Sequence, residues 1–441
     1  MSNNLDLKKG LNIPIAGAPA PEVVKSVQPD LIAVKPTDFP GFTPRLLVKE
    51  GDAVKAGSPV MADKLRPEIL VTSPVSGQVE SIVRGDKRKL LAVLVKADAR
   101  QTYADFGTEA PATADAVKDL LLRSGLWVSL VQRPYGITAS PDAAPKAIFI
   151  SAFSTAPLAP DSDFVLGDAA ADIQAGIDAL AKVAPVHVSV CKGKPAFSGL
   201  KNAVLHTVSG PHPAGNPGVQ ISHIAPIRKG ETVWTVSLFH TAVLGRLIGT
   251  GKLDLRRKVA VTGPCAPKPA YVECLPGTPV KELAAVSGDI RVVGGDVLSG
   301  ESLGADGFLG YFHDQLTLLR EGREREWFGW AKPFRPKVHS ASCCYFSWLT
   351  PGKKYAMDTN LHGGPRAFVE TKCFEDVTPM DIFPIYLIKA CLAGDIEKME
   401  KFGIYEVLPE DLALCDYVDP SKNEIQAIIQ KGIDLMIKEM A

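Results

Sequence analysis

The stretch Ala147-Ile148-Phe149-Ile150-Ser151-Ala152 is an apolar run of strand length, and Pro185-Val186-His187-Val188-Ser189-Val190 is a second one further along the chain. Between them, Asp168–Val183 carries Ile173, Ile177, Leu180 and Val183 at helical spacing, so one face of a helix is apolar there. Strand, amphipathic helix and strand at these lengths predict a βαβ unit, hence a parallel sheet with a right-handed crossover. Strands at Ala203–Val208 and Val233–Ser237 extend that sheet, and a helix over Leu238–Leu247 follows. Upstream, Tyr103–Gly125 reads as a linker and a helix with its core at Ala114–Arg123. Residues 101–255 are therefore expected to form an α/β domain.

The loop Ser209-Gly210-Pro211-His212-Pro213-Ala214-Gly215-Asn216-Pro217-Gly218 lies between the last two strands. Glycine opens backbone angles closed to other residues and proline fixes its own, so the run predicts a shaped loop rather than a helix or strand. A phosphate cradle would aim backbone N–H groups at the anion, but Pro211, Pro213 and Pro217 remove three of them. No Gly-x-Gly-x-x-Gly or Walker pattern occurs, and Ser154-Thr155-Ala156-Pro157 after the first strand is no dinucleotide fingerprint. Two readings stay open. One is a rigid surface turn with a solvent-exposed His212. The other is a loop in which Ser209, His212 and Gly215 contact a partner or a neutral aromatic ligand such as a quinone, whose carbonyl a histidine can hydrogen-bond.

The totals set the frame. The chain has 441 residues, enough for two to four domains, with 46% hydrophobic and 22% charged residues. Lys+Arg and Asp+Glu balance at 49 each, which argues against a bulk nucleic-acid binder. The eight cysteines are scattered without a Cys-x-x-Cys, and no signal-peptide pattern opens the chain, so reduced thiols are expected. No apolar run reaches the length that spans a bilayer.

Residues 1–100 are rich in short strands, expected at Arg45–Val48, Ser58–Ala62, Glu68–Val71, Gly77–Val83 and Lys89–Val95. The phrase Val48–Gly57, followed by Ser73-Pro74-Val75-Ser76-Gly77-Gln78-Val79, resembles the barrel-sandwich hybrid of biotinyl and lipoyl carrier domains. Such carriers modify a lysine at a hairpin tip. Asp63-Lys64 looks like the lipoyl pair, but Lys64 is displaced from the Ser-Pro turn and lacks the flanking methionines of biotin carriers, so it is expected to stay unmodified.

Residues 256–330 form a second small β-rich unit. Strands are expected at Lys258–Thr262, Pro269–Cys274 and Asp289–Val293, with a helix at Val280–Ala285 capped by Thr278 and opened by Pro279. This order resembles a soluble-ligand-binding β-grasp domain. The charge run Arg320–Glu326 reads as a solvated hairpin edge. Residues 331–441 are mostly helical. Helices are expected at Met380–Leu392, with Pro384 in its first turn or at a kink, and at Ile396–Phe402. A third is opened by a Ser421-Lys422-Asn423-Glu424 capping box and runs through Lys438.

Adjacent Cys343 and Cys344 cannot easily share one tetrahedral metal, and the other cysteines are isolated, so no metal ligands are expected. Asn360-Leu361-His362-Gly363-Gly364-Pro365 is a second glycine turn with a histidine, weak on its own, and His187 reads as a core or surface residue of its strand. No catalytic triad or carboxylate pair stands out.

With these pieces assembled, the chain resembles the A-subunit family of the Na+-translocating NADH:quinone reductases and, more distantly, the C subunit of the Rnf complex. The resemblance runs from Leu11-Asn12-Ile13-Pro14 through the His212 loop to Asn360-Leu361-His362-Gly363-Gly364 and the C-terminus. Rnf C subunits resemble bacterial ferredoxins near their C-terminus, with two cluster-binding cysteine runs. Here Cys373 and Cys415 each survive alone from such a run, with Thr378 and Asp419 before the prolines. Two thiolates cannot hold a four-cysteine cluster.

The resemblance implies a ferredoxin-like helical scaffold without clusters, and a Rossmann-like domain similar to the flavin and NADH fold of the large hydrophilic subunit of complex I. It implies a peripheral subunit on the cytoplasmic face of the bacterial inner membrane, joined to subunits B to F and chiefly to the integral-membrane B subunit. FAD, FMN, riboflavin and the iron–sulfur cluster would belong to those other subunits. The chain itself would hold no cofactor firmly, and a quinone contact is the one ligand left open. Two alternatives stand beside this: an NADH- or FMN-binding dehydrogenase component, and a lipoyl or biotin carrier using Lys64.

Overall fold

A computed structural model describes residues 4–440 except 195, 325, 333, 334, 336, 342–345 and 369–371. Cys343 and Cys344 lie outside the described residues. The chain begins away from its own first domain. Strand β1 (Asn4–Asp6) pairs in parallel with a strand two hundred residues on, Asn4 opposite Thr207. Strand β2 (Val23–Ser26) likewise joins a distant sheet, with Tyr271 opposite Val23. The barrel then follows as β3 (Leu31–Val34), β4 (Pro44–Leu46), β5 (Ala53–Val54), β6 (Pro59–Asp63), β7 (Leu70–Thr72), β8 (Gly77–Arg84) and β9 (Leu90–Ala97). A four-stranded sheet in the order β3-β9-β8-β5 and a three-stranded sheet β4-β6-β7 share one core containing Ile32, Met61, Val71 and Val93. The alternation of β8, Gly-Gln-Val-Glu, puts Val79 in that core and Gln78 and Glu80 outside. Lys64 follows Asp63 directly and is exposed. Its backbone N–H is held by Thr43 O at 2.7 Å.

The second unit opens with helix α1 (Ala114–Ser124), capped by the Thr113 hydroxyl. Strands β10 (Val131–Arg133), β11 (Ile137–Thr138) and β12 (Ile148–Ser151) follow, then helices α2 (Ser162–Leu166) and α3 (Ala170–Leu180). Next come β13 (Val186–Cys191), β14 (Val204–Ser209), α4 (Pro217–Ile224), β15 (Val233–Thr235) and α5 (Leu238–Thr250). The seven-stranded sheet has the order β1-β14-β13-β12-β15-β10-β11. β12, β13, β14 and β15 are mutually parallel and β10 and β11 are antiparallel additions at one edge. The chain moves outward from β12 to β14 and then returns to the other side of β12, so its topological switch lies between β12 and β15.

Helices α3 and α5 touch backbone to backbone. A Cβ on Gly176 would lie 2.0 Å from Thr241 O, and one on Gly245 would lie 1.8 Å from Asp172 O. Only glycine at both positions permits this approach. The barrel and this unit share their core, where fully buried Trp127 meets Trp234 edge-on at 5.4 Å.

The third unit comprises β16 (Arg257–Thr262), β17 (Ala270–Cys274), α6 (Val280–Leu283), β18 (Ile290–Gly294), β19 (Glu301–Ser302) and β20 (Gln315–Arg320), in a sheet ordered β19-β18-β20-β16-β17-β2. Thr278 does not cap α6 as expected. Its hydroxyl turns back to Leu275 O at 2.7 Å, and the helix ends at Leu283. The charge run starts on interior strand β20 rather than a hairpin edge and is largely paired, with Arg291–Glu321 at 2.8 Å and Arg323–Asp289 at 3.1 Å.

The C-terminal helices are α7 (Cys373–Val377), α8 (Pro384–Ala393), α9 (Ile396–Phe402), α10 (Ala413–Val418) and α11 (Ile425–Met440). They bury Leu387, Met399, Leu412, Ile429 and Met436 together with Ile13 and Ile15 of the N-terminal arm. Pro384 stands in the first turn of α8, where its missing N–H costs nothing. The expected Ser421 capping box does not form, because α11 begins at Ile425. The carboxylate of Asp416 accepts from the N–H groups of Ile425 and Gln426 instead.

Candidate functional site

The His212 loop is strand at one end and helix at the other: Ser209 closes β14 and Pro217 opens α4. Ser209 faces the sheet edge. Its hydroxyl donates to the Asp6 carboxylate, which also pairs with Lys192 at 3.0 Å. The Ser209 and Lys192 hydrogen bonds together hold Asp6 below the usual carboxylate range.

His212 is 4% exposed, so the expected solvent-exposed histidine is corrected to a buried one. Three contacts fix it. Its backbone N–H donates to Asn12 Oδ1 at 2.9 Å, its carbonyl accepts from Leu11 N at 2.8 Å, and Nδ1 lies 3.2 Å from Thr155 Oγ1. Thr155 Oγ1 also accepts from Gly215 N at 2.9 Å. One hydroxyl satisfies both if it gives its proton to Nδ1, which makes the imidazole neutral with its proton on Nε2. Burial pushes the ring's pKa down, in the same direction. A Cβ on Gly215 would stand 2.6 Å from Thr155 N, so glycine is what admits the Thr155 loop here. The sequence placed His212 and Gly215 in one loop but held no sign of Thr155, which lies in a different connection and joins them.

Thr155 lines a cavity of about 560 Å³, with Asn12, Ile13, Ile15, Leu158 and Lys354 among its walls. Gly210 of the loop also lines it; Ser209, His212 and Gly215 do not. The walls are mostly apolar, with the Asn12 amide, the Ser154 and Thr155 hydroxyls and the Lys354 ammonium as the polar groups. That composition suits a flat apolar ligand carrying a few acceptors.

The switch point between β12 and β15 is filled from within. Helix α5 starts there, capped by Ser237, whose hydroxyl accepts from His240 N at 3.2 Å and bonds His240 Nδ1 at 2.7 Å. The His240 ring stacks on Tyr311 at 5.0 Å, and the buried Arg257 guanidinium lies 4.4 Å over Phe239. Tyr311 N donates to Asp38 Oδ2 at 2.8 Å. Residues from the first three units thus pack outside the α5 N-terminus, where an open α/β sheet would admit a phosphate. A separate cavity at the ends of β12 and β13, between Phe153, Asp161, Cys191 and Lys194, measures only about 30 Å³. Ligand pockets run to several hundred Å³, well above this volume.

The C-terminal cysteines are tied into the helices. Cys415 is fully buried beside Thr378 Oγ1 at 3.7 Å, and burial pushes its thiol up to about 12. Cys373 Sγ donates weakly to Val418 O at 3.9 Å. Among the described residues, no three His, Cys, Asp or Glu side chains converge as a metal set. No helix among them is long and apolar enough to cross a membrane. Elsewhere His187 Nδ1 meets His206 Nε2 at 2.9 Å within the sheet, and His362 sits in its turn with φ of 47°.

Three family models match the chain. They are described as the NqrA N-terminal barrel-sandwich hybrid domain over residues 5–98, the NqrA second alpha/beta domain over 112–253, and the NQRA C-terminal domain over 258–304. The chain is 35% identical to the A subunit of the Na(+)-translocating NADH-quinone reductase of Neisseria meningitidis strain MC58, covering 99% of this chain and 100% of that one. It is equally 35% identical to the A subunits of the same reductase from Serratia proteamaculans strain 568 and Pseudomonas aeruginosa PAO1, over 97% of this chain and 98% of each of them. A mixed α/β architecture that begins with a barrel-sandwich hybrid and a second α/β domain, matched end to end by these relatives, places the chain in the NqrA family of Na+-translocating NADH-quinone reductases.

Proposed function

We propose that this chain works as the peripheral NqrA component of a sodium-pumping NADH:quinone oxidoreductase, in which NADH oxidation and quinone reduction are coupled to Na+ export. The observation that carries this is the end-to-end match to relatives of that name. In this reading the chain sits on the cytoplasmic face of the bacterial inner membrane with subunits B to F, chiefly the integral-membrane B subunit. FAD, FMN, riboflavin and the iron–sulfur cluster belong to those partners. The second unit, residues 101–255, is a Rossmann-like domain whose nucleotide crevice is taken up by its own neighbours. Residues 256–330 make the β-grasp unit and 331–441 a ferredoxin-like helical scaffold that has lost its cluster ligands, after a barrel over 1–100. The packed α5 N-terminus and the 30 Å³ cavity support the loss of nucleotide.

Co-purification tests this role. A tagged chain expressed with its partners is expected to bring down a membrane flavoprotein complex and to carry no stoichiometric flavin or iron when isolated alone. A chain that purifies free of any membrane protein overturns the reading.

Quinone contact falls to the 560 Å³ cavity rather than to the His212 ring, which supports its wall through Thr155. Leu158→Trp would fill that cavity. In the assembled complex it is expected to raise the KM for quinone while NADH oxidation with an artificial acceptor holds steady. An unchanged KM removes quinone from this chain.

A further inference from the structure

Residues 327–354 hold three of the chain's five tryptophans and seven aromatic residues in all. They also hold five cations, Lys332, Arg335, Lys337, Lys353 and Lys354, and no aspartate or glutamate. The chain as a whole has a formal net charge of zero, so this is a strong local surplus. The preceding Glu326 engages two of the cations, Lys332 at 2.9 Å and Arg335 at 2.6 Å, and Lys353 lies 5.1 Å over the Tyr355 ring. Lys337 and Lys354 are exposed.

The four described tryptophan side chains divide sharply. Trp127 and Trp234 are 0% and 1% exposed in the core, whereas Trp327 is 82% and Trp348 62% exposed, with Leu349 beside it at 58%. Large aromatic side chains left in water next to cations have a specific chemistry. Indole is stable at the level of lipid headgroups, where its apolar face and its N–H are both accommodated. Lys and Arg are attracted to anionic headgroups at the same depth. A protein partner would select differently, because lysine is depleted from the cores of protein interfaces. Acid-free, lysine-bearing composition beside exposed indoles therefore favours lipid.

We infer that Trp327, Lys337, Trp348 and Lys354 form a membrane-contact element, with Trp327 and Trp348 in the interfacial layer of an anionic bilayer while Lys337 and Lys354 meet lipid phosphates. Lys354 also lines the 560 Å³ cavity, so one wall of that cavity belongs to the element that meets the bilayer. The inference rests on the segment's own chemistry and not on the chain's place in a reductase complex.

The test sediments the isolated full chain with vesicles of phosphatidylcholine alone and of phosphatidylcholine with phosphatidylglycerol. Binding to the anionic vesicles is expected to exceed binding to neutral ones by about tenfold and to fall with added salt. Trp327→Ser/Trp348→Ser and, separately, Lys337→Glu are each expected to weaken it, with circular dichroism and a thermal melt confirming that the variants fold. No sedimentation with anionic vesicles, or equal sedimentation of the tryptophan double variant, overturns the inference. So does a double variant that still binds vesicles but drops out of the assembled complex, since the segment would then be a seat for protein. Because the vesicle assay uses this chain alone, failure to co-purify with partners leaves its outcome intact.

Discussion

Arg133 donates from Nη1 to Asp411 Oδ2 across 2.7 Å, joining strand β10, next to the sheet edge, to the turn before α10 over a sequence separation of 278 residues. Both side chains are buried, at 2% and 0% exposure. The guanidinium also pairs with Glu410 at 2.7 Å, and Asp411 Oδ2 accepts from Leu408 N at 3.0 Å. A pair so buried gains little over an apolar replacement, but either partner left alone is costly. Arg133→Met is expected to destabilise the chain by about 3–5 kcal/mol. Arg133→Met/Asp411→Leu should recover part of that loss, because the buried Asp411 carboxylate is then no longer stranded, leaving only the half-exposed Glu410 without its partner. Denaturant titration of the two variants checks this, and a double variant no more stable than the single one would refute it.

The same pair explains a glycine of the central loop. A Cβ on Gly218 would lie 2.2 Å from both Arg133 Nη1 and Asp411 Oδ2. Gly218→Ala should therefore cost about 1–3 kcal/mol although it sits in the first turn of a helix, where alanine is normally favoured. A neutral or stabilising result in a thermal melt would show that the pair can move aside.

Thr155 is the keystone of the His212 loop. Thr155→Val keeps its shape but leaves Gly215 N–H and His212 Nδ1 without their shared partner. About 2 kcal/mol should be lost, at the scale of buried polar groups left unsatisfied. Thr155→Ser should restore most of it. If valine and serine behave alike, methyl packing rather than the hydroxyl holds the loop.

How much of this could be read beforehand depended on the range of the interaction. Elements fixed by local pattern were legible: Ala114–Ser124, the β12-α3-β13 unit and Ile396–Phe402 all fall where periodicity placed them. Elements fixed by distant partners were not. Asn4–Asp6 and Val23–Ser26 are too short to show alternation, and each is a strand only because β14 or β17 offers it an edge. His212 looked exposed because glycine and proline surround it. Its burial comes from Asn12 and Thr155, which no spacing within the loop announces.

Acid should weaken the fold through its buried histidines. Burial, with Lys35 and Arg257 nearby, pushes His313 down to about 4 from an ordinary 6.5. Its Nδ1 accepts from Gly310 N at 3.0 Å, which requires that nitrogen unprotonated. A folded pKa below the unfolded one means that the unfolded state takes up the proton first. Stability is thus intact above pH 6.5, declines as the pH falls towards 4, and levels off below that. At pH 5 this single group should cost about 2 kcal/mol. His313→Gln should lose less stability than the wild type between pH 7.5 and pH 5 in denaturant titrations, and parallel losses would count against it. Buried His240, pushed down by desolvation and by Arg257, adds to the slope in the same direction.

The start of α11 separates a local signal from a tertiary one. Ser421 and Glu424 have the spacing of a capping box, yet the helix begins at Ile425, four residues past Ser421. By then the first free N–H groups of the helix have met Asp416, which also accepts from Gln426 Nε2 at 2.6 Å. Asp419, fully buried, holds the N–H groups of Ser421 and Asn423 at 3.0 and 2.8 Å and so fixes the turn that brings α10 and α11 together. The serine is thereby engaged through its backbone before it could act as a cap. Asp416→Ala should cost about 1–2 kcal/mol, the scale of a lost helix cap. Glu424→Ala should change stability by less than about 0.5 kcal/mol, as surface substitutions do. Hydrogen exchange at the first turn of α11 offers the sharper reading. Protection there should fall in Asp416→Ala and persist in Glu424→Ala, and the reverse order would return the cap to the sequence motif.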